Sequence, residues 1–314
     1  MKKILCIGSA GFILGNFVRK IIYGHKESYA LVSIDNLTNG DFNTIYTNRY
    51  HTFYPADVRD HHILDRIFEK EKPDYVIYAA SIEQSDYIYS DEIHPLENVL
   101  TACKKYKVEK FIYLSSDTVY DQSNNPREED YKLVEMKLPF HPYGTRKLLE
   151  ENMIKAECAE NTSMTYNILR LGNTYGNWDR SEKFISKSIR SILNEQPIVI
   201  HGDGSQARDW TYIFDTVSAI MFLLEKGQPN EIYNVGAGQE FSVLEVAHMI
   251  CSTMNKGFNL LTFDKSKVNN LSRALNTNKL KALGWKSNFK LKDGLGEAVQ
   301  WYSNNSFLFK LKGE

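Results

Sequence analysis

The chain has 314 residues, room for one large α/β domain or two of ordinary size. Its 38 Lys plus Arg against 39 Asp plus Glu leave a net charge of −1, which argues against a dedicated nucleic-acid binder or a protein held on an acidic membrane. Hydrophobic residues at 42% and charged residues at 25% are an ordinary globular mix, and exclude disordered, collagen-like and coiled-coil chains.

The apolar run at 4–7 is continuous rather than alternating, which predicts a strand buried on both faces of a parallel sheet. Ile13, Phe17 and Ile21, with Val18 and Ile22 beside them, make one helical stripe. A second strand is expected at 31–34 and a weaker third at 53–56. Ile63, Ile67 and Phe68 mark a helix ahead of a strand at 75–80. Helices at 99–106 and 143–154 then alternate with strands at 111–114 and 168–171. Repeated β-α-β units of this kind predict an α/β fold, a doubly wound parallel sheet with right-handed crossovers.

After Gly176 the rhythm loosens. Strands at 198–200 and 232–235 and helices at 217–224, 243–249 and 294–301 follow without clean alternation. The expectation is a first domain at 1–175 and a smaller C-terminal α/β substrate-binding domain at 176–314, with part of 205–235 returning to the first. No apolar run approaches the roughly 18 residues a bilayer needs, and the start turns polar too early for a signal peptide. Cys6, Cys103, Cys158 and Cys251 are scattered with no C-x-x-C spacing, so reduced structural thiols in a cytoplasmic protein are expected. The adjacent His61 and His62 should project to different faces of a helix, and no metal-ligand spacing occurs, so no metal is expected.

Two features carry chemistry. Gly8-Ser9-Ala10-Gly11-Phe12-Ile13-Leu14-Gly15 lies between the first strand and the first helix. A glycine-rich turn feeding a helix N-terminus lets backbone N–H groups approach a diphosphate. Asp35, 20 residues beyond Gly15, is placed to accept from ribose hydroxyls and would repel a 2′-phosphate, so NAD is favoured over NADP. The place of the third glycine holds Leu14, with Gly15 one residue late, which predicts a displaced helix or a reshaped turn. Without the second feature, the turn and Asp35 would also suit a purely structural strand-to-helix connection.

The second feature is Tyr143-Gly-Thr-Arg-Lys147, a phenol and an ammonium one helical turn apart. The ammonium favours the phenolate, which makes the tyrosine a usable acid or base. Tyr106 and Lys110 repeat the spacing but run into a strand. Tyr143 instead follows a long loop after Ser115-Ser116-Asp117-Thr118-Val119-Tyr120, where a parallel sheet presents its site.

With these residues the chain resembles the extended short-chain dehydrogenase/reductase family, the NAD-dependent epimerases and dehydratases of nucleotide sugars, which have a Rossmann sheet. Further points of resemblance are Asp57-Val58, Ala79-Ala80, Asn173-Thr174-Tyr175-Gly176, the stretch from His201 to Trp210, Tyr233-Asn234-Val235-Gly236 and Leu283-Gly284-Trp285. The stretch 182–215 looks most like dTDP-glucose 4,6-dehydratases. The resemblance implies a homodimer and a nucleotide-diphosphate sugar as substrate, with neither nucleic acid nor membrane as partner.

The resemblance also implies residue roles. The NAD contacts would be Gly8, Gly11, Phe12, Ile13, Asp35, Asn36, Asp57, Val58, Ala79, Ala80, Tyr143 and Lys147. Ser116 would hydrogen-bond the sugar 4-hydroxyl and Tyr143 take its proton, while Lys147 holds the nicotinamide ribose and the C4 hydride passes to NAD. Asn173 would meet the substrate phosphate region, and Arg208 and Arg273 would clamp its diphosphate. Arg208 could instead simply pair with Asp209.

In the dehydratases an Asp-Glu pair follows the active-site Ser or Thr, the Asp protonating the departing C6 hydroxyl and the Glu removing the C5 proton. Here the pair is Asp117-Thr118, so the acid is retained and the base is absent. A threonine hydroxyl is no carboxylate base. Thr118 resembles the 4-epimerase segment, and Glu83 offers a replacement carboxylate or a plain surface acid. Dehydration, as in a lyase, and 4-epimerisation, as in an isomerase, both stand as readings. A non-catalytic NAD-binding sensor is the alternative from another class.

Overall fold

The structure, a computed structural model, describes residues 1–24, 28–40, 42–46, 49–81, 94–120, 127–131, 133, 142–160, 163–179, 182–266 and 275–308. It opens with β1 (Lys2–Ile7), α1 (Phe12–Gly24), β2 (Tyr29–Asp35), β3 (His51–Pro55), α2 (His61–Glu71), β4 (Tyr75–Tyr78), α3 (His94–Lys105), β5 (Lys110–Ser116), α4 (Pro142–Glu160) and β6 (Thr165–Leu171). There follow β7 (Asn173–Tyr175), α5 (Phe184–Leu193), β8 (Ile198–His201), β9 (Ala207–Tyr212), α6 (Ile213–Lys226), β10 (Glu231–Val235) and β11 (Glu240–Ser242). The last elements are α7 (Val243–Thr253), β12 (Leu261–Asp264), α8 (Asn278–Ala282) and α9 (Leu291–Asn304).

The chain folds as two compact units, residues 1–121, 131–171 and 217–233 in the first and 122–130, 172–216 and 234–314 in the second. A seven-stranded sheet has the order β10-β6-β5-β4-β1-β2-β3. The order reverses beside β1, which pairs in parallel with both β2 and β4. That reversal is the crevice where open α/β sheets bind ligands. Leu5, Ile7, Val32, Val76, Phe111 and Ile168 are all at most 2% exposed and share one core with the inner faces of α2, α3 and α4. Strands covered on both faces bury every side chain, which is why the sequence shows unbroken apolar runs. Burial of such side chains contributes about 1.5–3 kcal/mol each.

Local signals fix several ends. Asp60 caps α2 by accepting from His62 N and Ile63 N at 3.0 and 3.1 Å, and Lys72 closes it in the left-handed region at φ 46°. Ser242 and Glu245 form a reciprocal capping box at the start of α7. His61 and His62 do not diverge as expected; at the first turn of α2 their ring centroids lie 3.9 Å apart. Among the described residues no cluster suits a metal ion, and no helix is long and apolar enough to cross a membrane.

The second unit contains a three-stranded sheet, β11-β9-β7, and a parallel pair, β12-β8. β7 runs parallel to β9, pairing Asn173 with Trp210, and β11 runs antiparallel to it, pairing Phe241 with Arg208. Asp209 on β9 accepts from Ala237 N and Gly238 N, both at 2.8 Å, which ties the 236–238 turn to the strand.

Candidate active site

The turn between β1 and α1 is built on a close approach. Gly8 has φ +83°, and a Cβ placed on it would stand 2.7 Å from Ala80 N and 2.9 Å from Ala79 C. Only glycine takes that backbone without strain and leaves that space open. Gly8 N donates to Ile34 O at 2.9 Å, and Gly11 N donates back to Gly8 O at 3.2 Å. α1 then begins at Phe12, with Gly15 N bonded to Gly11 O at 2.9 Å, an ordinary helical bond. The displaced helix or reshaped turn expected from Leu14 is therefore not needed. Leu14 is fully buried in the core, and Gly15 makes the close approach, where an added Cβ would stand 3.3 Å from Thr44 Cβ.

Gly8, Gly11, Asp35, Asn36, Asp57, Val58, Ala79 and Ala80 line one open cleft of about 730 Å³ in the first unit. Of the expected cofactor contacts, Phe12 and Ile13 open α1 outside that lining, and Tyr143 and Lys147 stand on α4. Asp35 sits at the end of β2, its Oδ2 accepting from Ala10 N at 2.9 Å and its Oδ1 from Leu37 N at 2.8 Å. Burial raises its carboxyl above the usual range, and those two backbone donors oppose the rise. Asp57 goes the other way. The Arg59 guanidinium, 2.6 Å from Oδ2, holds it down to about 2, with Asn36 Nδ2 adding a bond at 3.0 Å. Arg59 also lines the cleft, as do Thr38, Asn39 and Gly40, none of them anticipated from the sequence. The cradle emptied of side chains at Gly8, the α1 N-terminus and the buried acid of Asp35 fit a dinucleotide such as NAD.

At the end of β5, Ser116 caps the short turn at 117–119, accepting from Thr118 N at 3.2 Å. Thr118 Oγ1 donates to Ser116 Oγ at 3.0 Å, and Ser116 Oγ donates to Asp117 Oδ1 at 3.4 Å. Three of the five predicted catalytic side chains, Ser116, Asp117 and Thr118, are thus one hydrogen-bonded chain. α4 packs on this turn and on β5.

Tyr143 and Lys147 lie on the first two turns of α4, with Lys147 Nζ 5.9 Å from the Tyr143 ring centroid. Lys147 is buried, with Nζ 3.4 Å from Leu114 O, 4.9 Å from the Tyr113 ring centroid and 3.5 Å from Glu150 Oε2. The sequence reading missed Arg146, whose guanidinium carbon is 5.2 Å from the Tyr143 ring centroid and whose Nη2 donates to Ser81 Oγ at 3.4 Å. It also missed Glu150 and Tyr113. The Tyr-x-x-x-Lys spacing draws the eye to its two ends, although Arg146 stands between them in plain view.

In the second unit Asn173 and Arg208 line a cleft of about 600 Å³ together with Lys183, Phe184, Gln206 and Trp210. Phe184 and Trp210 rings lie 6.3 Å apart there, and Arg208 Nη1 donates to Ala207 O at 2.7 Å. Glu83 and Arg273 lie outside the described residues.

The model of the NAD dependent epimerase/dehydratase family matches residues 4–236, and the chain belongs to that family. It is therefore an NAD-dependent enzyme of the dehydratase and epimerase type, on a Rossmann sheet. A dTDP-D-glucose 4,6-dehydratase of Dictyostelium discoideum is 29% identical, over 97% of this chain and 82% of its own length. A putative UDP-glucose 4-epimerase of Methanocaldococcus jannaschii is 33% identical, over 96% of this chain and 99% of its own length. A solved structure, the dTDP-glucose 4,6-dehydratase of Bacillus anthracis in complex with NAD, superposes with a TM-score of 0.89 at 25% identity, covering 98% of each chain.

Proposed function

We propose that the chain oxidises the hexose of a nucleotide-diphosphate sugar at C4 and then eliminates water across C5 and C6, the lyase reaction of a 4,6-dehydratase. Bound NAD supplies the hydride acceptor for C4. Ser116 orients the 4-hydroxyl, and Tyr143 takes its proton beside the cation of Lys147. The 4-ketone acidifies the C5 proton, and Asp117 protonates the departing C6 hydroxyl; the hydride taken from C4 would then return to C6 as a proton is delivered to C5, which leaves a 4-keto-6-deoxy sugar and the cofactor oxidised again. Asn173 and Arg208 bind the substrate's phosphates, Arg273 from outside the described residues completing the clamp.

The observation that carries the dehydratase reading is Asp117, a buried acid hydrogen-bonded to Ser116. Elimination needs a proton donor for the leaving hydroxyl, and epimerisation at C4 does not. The 4-epimerase reading, an isomerase, rests on Thr118: its hydroxyl is spent on Ser116 and supplies no carboxylate for C5. Glu83 is the candidate replacement base. Incubation with dTDP-, UDP-, GDP- and CDP-hexoses, with products resolved by NMR, decides between them. A 4-keto-6-deoxy sugar is the expected product. A C4-inverted hexose would establish the epimerase, and no turnover together with no reduction of bound NAD would overturn both readings of the substrate.

A further inference from the structure

Two adjacent cations, Arg146 and Lys147, are both 2% exposed at the start of α4. Ammonium and guanidinium groups are taken out of water at heavy cost unless a counter-charge meets them. Two carboxylates on the same helix are completely buried, Glu150 and Glu151. Glu151 is already engaged: Arg170 on β6 grips it with Nε at 3.0 Å and Nη2 at 2.7 Å, and Ser115 Oγ donates to it at 2.7 Å. Glu150 has other partners. Its Oε2 lies 3.5 Å from Lys147 Nζ and accepts from the Tyr113 hydroxyl, and its Oε1 has no hydrogen-bond partner among the described residues.

We propose that Glu150 is a positioning residue, the buried counter-charge that, with the Tyr113 hydroxyl, holds Lys147 as an ammonium beside Tyr143. Among the described residues, the other ionisable neighbours are placed differently. Tyr143 and Arg146 on α4 bring no fixed negative charge, Asp117 on the turn after β5 is bonded to Ser116, and Lys155 shares Glu151 with Arg170 at 3.7 Å. Tyr113 on β5 stays a neutral donor, because burial first and the Glu150 charge second push its hydroxyl well above its ordinary range. The inference rests on the reading above that Lys147 holds the nicotinamide ribose. It adds that Glu150 helps the ammonium keep its proton, and hence its grip.

The test is the pH dependence of NAD affinity, read by quenching of protein fluorescence in the full chain. Glu150→Gln keeps the shape and removes the charge. Wild-type affinity should change by less than about twofold between pH 6 and pH 9, because Lys147 stays protonated throughout. In Glu150→Gln, affinity should match wild type at pH 6 and weaken about tenfold or more by pH 9 as Lys147 loses its proton. A variant that tracks wild type at every pH, or is weakened equally at every pH, overturns the proposal.

A second measurement does not depend on the cofactor. Thermal midpoints are compared for wild type, Glu150→Gln, Lys147→Met and the double variant. Lys147→Met strands the buried Glu150 carboxylate, so the double variant should unfold several degrees above the value expected from adding the single changes. Simple additivity overturns the pairing. If Glu150→Gln alone does not fold, a folded double variant supports the pairing and an unfolded one overturns it. If wild type binds no NAD while the midpoints show coupling, the cofactor reading has failed and the ion pair stands.

Discussion

Thr118 Oγ1 donates to Ser116 Oγ across 3.0 Å, where a dehydratase-like pattern leads one to expect a carboxylate base. That bond ties the hydroxyl to the serine proposed to orient substrate. If the chain is the dehydratase proposed, Thr118→Glu restores the missing carboxylate base and should raise formation of the 4-keto-6-deoxy product by about tenfold or more, the scale of one acid–base group. NMR of the product mixture reads this directly. An unchanged product distribution means that another group removes the C5 proton or that elimination is not the reaction.

Tyr143 is half-buried with the cations of Arg146 and Lys147 at 5.2 and 5.9 Å from its ring centroid. Tyr143→Phe preserves the ring and those contacts while deleting the hydroxyl. Turnover should fall by about 10²–10⁴-fold, and NAD affinity should stay within about threefold of wild type. Steady-state rates and a binding titration on the same preparation separate the two effects. Near-normal turnover would remove Tyr143 from the proton transfer.

The sheet was legible because fully buried parallel strands declare themselves as apolar runs, as at β1 and β2. β7, β11 and β12 were not, being three or four residues long with bonds to distant strands, such as Asn173 to Trp210, that no local period encodes. α3 begins at His94 rather than near Val99, because Pro95 suits a first turn that the apolar stripe does not reach. Glycines and the Tyr-Lys spacing marked the cleft beside β1 and the helix α4, since each follows from backbone geometry near its own place in the chain. Arg59 and Glu150 were invisible for the opposite reason: what matters about each is a partner or a burial that only folding creates.

Gly8 should tolerate no side chain. Alanine there must hold φ +83° and would thrust its Cβ to 2.7 Å from Ala80 N. The left-handed backbone alone costs about 1–2 kcal/mol, and the clash with backbone adds to it. Gly8→Ala should therefore lower the thermal midpoint by about 4 °C or more and abolish NAD binding. Gly296→Ala is the control, because nothing lies within 4 Å of its added Cβ in α9. That change should be neutral or stabilising by about 0.5–1 kcal/mol. Equal losses in the two variants would contradict the close approach at Gly8.

The Asp57–Arg59 pair should leave a signature in acid. Asp57 titrates at about 2 in the folded chain, chiefly because of its hydrogen bonds from Arg59, against about 3.9 for an unfolded aspartate. Between these values the unfolded chain binds more protons, so the pair stabilises the fold above about pH 4 and its contribution fades as pH falls towards 2. Arg59→Ala removes that contribution and leaves the other carboxyls to titrate alike in both proteins, so they cancel in the difference. The gap in thermal midpoint between wild type and Arg59→Ala should be constant above about pH 5 and shrink steadily below it. Asp57 is partly exposed, so added salt should narrow the gap at neutral pH as well. A gap that persists unchanged to about pH 2 would show that Arg59 acts through packing of its stem rather than through the charge on Asp57.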